Sequence, residues 1–217
     1  MKNGFTLSEI LIALTVVGII SAVTVPVTIS NYQRKALVLD LKKAYLDMDY
    51  NLTILQSENL RGKLSSSRFG KTKTEVRDFL NENFKVTKNC DETAQPCFAS
   101  SYKSISKTSE DLSLSGGSCI LTKSGYALYV IPAPDSSQPA VVYIDVNGAE
   151  PPNTGGRDMF KFNIYEDYSI DVISPDEKLT GTAKTTRETL FTKNCTTSTV
   201  GQGCIGKLIN DDWKINY

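Results

Sequence analysis

From Ile10 to Ser30 the chain carries no charged residue. About 20 apolar residues in a helix cross the roughly 30 Å hydrocarbon core of a bilayer, so this run is long enough to span one. A single carboxylate, Glu9, stands at its entry. A charge costs roughly 2.5–3.5 kcal/mol near the membrane centre and less toward an interface, so Glu9 requires a partner. The beginning of the chain is therefore constrained to a helix covered by lipid or by other helices.

Gly4-Phe5-Thr6-Leu7-Ser8-Glu9 follows a single lysine, Lys2, and precedes the apolar run. This pattern resembles the leader junction of type IV pilins and type II secretion pseudopilins. The resemblance implies cleavage between Gly4 and Phe5 by a prepilin peptidase, with N-methylation of the new amine on Phe5. It also supplies a partner for Glu9, the cationic amine of a neighbouring subunit in a low dielectric. Two plainer readings compete. A secretory signal has an apolar stretch of about 7–15 residues and a small-residue cleavage site; Ser21-Ala22 is a weak candidate, and the run is longer. A single-span anchor would leave Glu9 at headgroup depth. Neither predicts glycine and phenylalanine at the junction.

At 217 residues the chain accommodates one modest domain beyond this segment. Its 24 basic and 24 acidic residues balance, giving no clear signal for nucleic acid or anionic lipid. It has no histidine, which removes the commonest general base and transition-metal ligand. Cys90 and Cys97, and Cys195 and Cys204, form two close pairs, with Cys119 the odd one of five. Such usage points to an oxidising compartment. Pairing Cys90 with Cys97 and Cys195 with Cys204 would close short loops, each contributing roughly 2–3 kcal/mol. The spacings are not the Cys-x-x-Cys of zinc sites.

Beyond Ser30, Leu37, Leu41, Ala44, Met48, Leu52 and Leu55 recur at helical spacing, with charges largely on the other faces. One helix over about residues 5–60 would be roughly 80 Å long, with Gly62 and Ser65-Ser66-Ser67 ending it. Gly18 and Pro26 predict a kink or melted turn near residues 18–26. In the family resembled, the equivalent region can unwind during assembly, which gives Pro26 an assembly role. Thr72-Lys73-Thr74-Glu75 reads as a capping box for a helix to about Phe84, with Val76, Phe79 and Leu80 inward. Strands are expected at residues 118–122, 126–131, 140–146, 159–164 and 169–173, the first two joined by a turn at Lys123-Ser124-Gly125. Short connections imply an antiparallel meander, whose apolar face would receive the helix stripe. A short helix is expected at residues 187–192, with Leu208, Ile209 and Trp213 docking the tail.

Residues 145–160, which include Asp145, Asn147-Gly148, Pro151-Pro152-Asn153, Gly155-Gly156 and Asp158, form a well-determined loop. The segment resembles a loop of many pilin-like heads, and some pseudopilins hold calcium in this region. Asp145, Asn147, Asn153 and Asp158 could give a calcium ion several of the six to eight oxygens it takes. Alternatively the carboxylates hold loop amides, or one pairs with Arg157. No nucleophile–base constellation, Gly-x-Ser-x-Gly elbow or phosphate-cradling loop appears, so an enzyme is not expected.

The expectation is an α+β fold, a long amino-terminal helix packed on an antiparallel sheet head. Its divisions are a leader at 1–4, a membrane or filament-core helix at 5–30, an amphipathic half at 31–62, and a head with a disulfide-held tail at 63–217. The resemblance implies a structural subunit of a pilus or pseudopilus. Its partners would be prepilin peptidase, identical or related subunits, the inner-membrane assembly machinery and, before assembly, lipid. The precursor would sit in the cytoplasmic membrane with its head exported, then join a filament. The alternatives are a minor tip subunit that binds a surface, a secreted substrate or DNA, and an anchored exported domain that never polymerises.

Overall fold

The computed structural model describes residues 4, 6–60, 62–69, 71–90, 94–133 and 140–217. Phe5, named above as the processed terminus, lies outside them, as do Met1, Lys2 and Asn3. The chain divides into two units, residues 1–36 and 37–217. Helix α1, Leu7–Glu58, contributes to both.

In the first unit α1 is uncharged on every side from Ile10 to Ser30, and its large side chains from Leu7 to Ile29 are exposed. Its mean hydropathy over the best window is 2.6, so by length and composition it can cross a membrane. Gly18 and Pro26 lie within it without interrupting the helix, contrary to the melted turn expected there. A proline removes one backbone donor, a local loss that intact neighbouring bonds can carry. The threonine hydroxyls inside the run are satisfied by the helix itself. Thr15, Thr24 and Thr28 donate to the carbonyls of Leu11, Ile20 and Thr24 at 2.8–2.9 Å.

In the second unit α1 becomes one-sided. Val38, Leu41, Ala44, Met48, Leu52 and Leu55 are buried, while Leu39, Leu46 and Tyr50 are exposed. The buried stripe belongs to a core with Ile120, Leu128, Val130, Val142, Ile144, Phe160, Phe162 and Ile164. These come from a six-stranded sheet in which every neighbouring pair is antiparallel. Its strands are β1 (Val86–Asn89), β4 (Ser118–Thr122), β5 (Ala127–Ile131), β6 (Ala140–Asp145), β7 (Met159–Ile164) and β8 (Ile170–Asp171), in the spatial order β1-β4-β5-β6-β7-β8. From β4 to β8 the chain is the expected meander, and β1 adds to its margin beside β4. Gly125 supplies the left-handed residue of the β4–β5 turn at φ 96°.

The opposite face of the sheet is covered as well. There Cys90, Cys97, Phe98, Tyr102, Cys119, Ala127, Tyr129 and Met159 form a second cluster. Its outer layer includes a two-stranded sheet of β2 (Ser101–Lys103) and β3 (Ser109–Asp111). Alternation along β5 follows from this arrangement, because Leu128 and Val130 face one layer while Ala127 and Tyr129 face the other.

Helix α2, Lys73–Asn83, opens on the Thr72–Glu75 capping box and buries Val76, Phe79 and Leu80. The tail builds α3 (Pro175–Leu179), α4 (Ala183–Leu190), a π-helical turn at Phe191–Cys195, and α5 (Cys204–Asn210). The helix expected at residues 187–192 is thus α4 plus that turn. Leu208 is buried, and Trp213 meets the ring of Tyr45 edge-on at 5.0 Å. Asp171 on β8 ties the tail to the sheet through ion pairs with Arg187 and Lys178. Burial opposes ionisation of Asp171, but the hydrogen bonds and charge of Arg187 overcome it and hold its pKa below the ordinary value.

Candidate functional site

Two segments carry the residues singled out in the sequence. The first is the start of α1. Gly4 is exposed, and a Cβ built on it would meet nothing within 4 Å. Thr6 is the first residue whose contacts are defined. Its backbone N–H and its hydroxyl each donate to Glu9 Oε2 at 2.7 Å, and Glu9 N–H returns a bond to Thr6 Oγ1 at 3.3 Å. This reciprocal pair is a capping box, the Thr-x-x-Glu arrangement that satisfies orphan donors at a helix start. The negative charge also suits the positive end of the helix dipole. Glu9 therefore has a role within its own chain, besides the pairing with a neighbour's amine that the resemblance implies. Its signal in the sequence is Thr6, three residues before it.

The family whose model matches is the prokaryotic N-terminal methylation motif, over residues 1–25. A motif of this kind agrees with the resemblance of residues 4–9 to the leader junction of type IV pilins and pseudopilins. The described residues have a pilin-like layout, a long helix followed by an antiparallel sheet. No curated protein and no solved structure matches the chain.

The second segment is the loop of residues 145–158. Asp145 ends β6 and Asp158 precedes β7, and both are fully buried. Asp145 Oδ2 accepts the phenolic O–H of Tyr102 at 2.5 Å, and its Oδ1 accepts Asn147 N–H at 3.1 Å. Asp158 accepts the N–H groups of Asn153 and Thr154, one on each oxygen, at 2.6 Å. Asn147 Nδ2 donates to the carbonyls of Glu150 and Pro151 at 2.8 and 3.0 Å. The two carboxylates thus hold the loop from its ends and Asn147 holds its middle.

Burial drives the electrostatics here. Desolvation, reinforced by the charge of Asp158, pushes Asp145 up to about 8. Desolvation raises Asp158 to about 6 against the opposing amide bonds of Thr154 and Asn153. Burial, then the Asp145 charge, also raises the Tyr102 phenol. Two amide oxygens in the loop, Asn147 Oδ1 and Asn153 Oδ1, are buried with no hydrogen-bond partner. Arg157 Nη1 donates to the Tyr217 carbonyl at 2.6 Å, and its guanidinium lies 5.2 Å over that ring.

The disulfides frame this loop. Cys90–Cys97 and Cys195–Cys204 are both formed. Gly156, at φ 79°, approaches the second so closely that a Cβ would stand 2.7 Å from Cys204 Sγ. The loop is thereby seated on the disulfide-held tail. Tyr102 had no sequence signal, because it reaches Asp145 across 43 residues.

Proposed function

We propose that this chain is a structural subunit of a type IV pilus or of a type II secretion-like pseudopilus, processed after Gly4 and assembled through its amino-terminal helix. The observation that carries this reading is the methylation motif over residues 1–25. It is supported by the exposed apolar surface of α1 from Leu7 to Ile29, which lipid, then other subunits, would cover. The partners are prepilin peptidase, copies of this chain or related subunits, and the inner-membrane machinery that extracts the subunit. The precursor sits in the cytoplasmic membrane with its head exported. Mass spectrometry of the mature amino terminus, taken from the native cell envelope, tests the reading. A chain beginning at N-methylated Phe5 supports it, and one beginning at Met1 or after Ala22 overturns it.

The loop carries a narrower proposal, calcium held by Asp145, Asn147 and Asp158. The unpartnered buried oxygens Asn147 Oδ1 and Asn153 Oδ1 beside two carboxylates favour it. Melting temperatures with calcium and with chelator test it. A rise that tracks calcium concentration supports a site, and coincident curves leave the loop held by its own hydrogen bonds.

A further inference from the structure

Cys90, Cys97 and Cys119 place their sulfurs within 4.8 Å of one another. All three are buried in the cluster on the sheet face away from α1. Cys90 follows β1, whose register against β4 runs Lys88 to Leu121 and Asn89 to Ile120. The next pair in that register is Cys90 with Cys119, and Cys90 N–H donates to Cys119 O at 2.9 Å. Residues directly opposed on antiparallel strands have Cα atoms about 4.5–5.5 Å apart, inside the span a disulfide bridges. The bond present, Cys90–Cys97, joins Cα atoms 6.1 Å apart. Cys119 is a thiol, its Sγ directed to the Ala94 carbonyl at 3.7 Å. Cys90 therefore has one sulfur across the loop and another across the ladder, each within reach.

We propose that the Cys90–Cys97 disulfide exchanges with the Cys119 thiol, so that Cys90 has two alternative partners. The deprotonated Cys119 Sγ attacks Cys90 Sγ, and a Cys90–Cys119 bond forms as the Cys90–Cys97 bond breaks. Cys97 leaves as a thiolate and takes up the proton that Cys119 gave. One disulfide and one thiol exist before and after, so no external oxidant or reductant takes part. The step moves the staple from a loop to the β1–β4 ladder and releases the segment around Cys97. That segment carries Ala99, whose N–H donates to Tyr102 Oη at 3.1 Å, and Tyr102 in turn holds Asp145. The sulfur arrangement is thus linked by hydrogen bonds to the end of the 145–158 loop.

Peptide mapping without reduction tests this on the purified full-length chain in detergent. Samples held in mildly alkaline buffer, where thiolate is more abundant, are quenched with acid over time. They are then denatured and alkylated. The expected result is progressive loss of the Cys90–Cys97 cross-linked peptide, with matching gain of Cys90–Cys119 and of alkylated Cys97. Alkylation confined to Cys119 at every time point overturns the proposal. The Cys97→Ser variant gives a second reading. Oxidised and folded by circular dichroism, it should yield the Cys90–Cys119 peptide, whereas alkylation of both cysteines would overturn it. If that variant does not fold, the wild-type time course decides.

Discussion

Asp145 and Asp158 are acids whose folded pKa values lie above the ordinary value of 3.8, at about 8 and about 6. Between pH 4 and 8 the folded chain therefore binds protons that the unfolded chain has released. Stability from this pair is fully present below about pH 4 and is lost as pH rises through about 6 and then about 8. A tenfold difference in proton affinity between the folded and unfolded chain corresponds to about 1.4 kcal/mol. Denaturation in urea at a series of pH values, with chelator present, should show the wild-type midpoint falling from pH 5 to pH 9. Asp145→Asn, which keeps the shape without the charge, should flatten that fall, and parallel curves would count against the assignment. Asp171 acts in the opposite sense. Its lowered pKa gives stability that is present above about pH 4 and lost in acid. Much of this chemistry could not be read from the chain. That Asp145 and Asp158 close one loop was legible from its turn residues. The phenol that caps Asp145 was not, because nothing local to Tyr102 marks the residue it will meet.

At the scale of elements, α1 within the head poses a direct comparison between two leucines of one helix. Leu41 is fully buried against the sheet and Leu39 is 65% exposed. Leu41→Ala removes packed methyl groups and leaves a cavity, and should destabilise the head by about 2–5 kcal/mol. Leu39→Ala should stay within about 0.5 kcal/mol. Chemical denaturation of the detergent-solubilised chain reads both, and equal losses would remove the assignment of the packed face. The α2 cap is a smaller test. Thr72→Ala should cost about 1 kcal/mol, because the bond that Thr72 Oγ1 accepts from Glu75 N–H is lost. These features were legible because they are periodic or local, a stripe at intervals of three and four and a Thr-x-x-Glu signature. β1, β2 and β3 were not. Their sequences, Val-Thr-Lys-Asn, Ser-Tyr-Lys and Ser-Glu-Asp, are short and largely polar. They become strands through their partners rather than through propensity.

At the scale of the whole molecule, the two roles of Glu9 can be separated. Glutamine can take the third position of a capping box as glutamate does, but it carries no charge. If pairing with a neighbour's amine is what admits a subunit, Glu9→Gln should enter filaments as poorly as Glu9→Ala, with cleavage largely intact in both. If capping alone matters, Glu9→Gln should match the wild type. Immunoblots of sheared filaments against total envelope distinguish the outcomes, and Glu9→Ala in filaments at wild-type levels would remove both roles. The sheet bears on the same question from its margins. It ends on β1, whose pairing shifts register between Val86 and Lys88, and on β8, two residues long. An open strand edge is a template for another chain's backbone, and stacked edges of that kind build fibres that are very hard to dissolve. Heads concentrated along a fibre would offer such templates to one another at every step. With both margins blunted, the backbone has little to recruit with, and in the proposed filament ordered growth would be kept apart from indiscriminate aggregation.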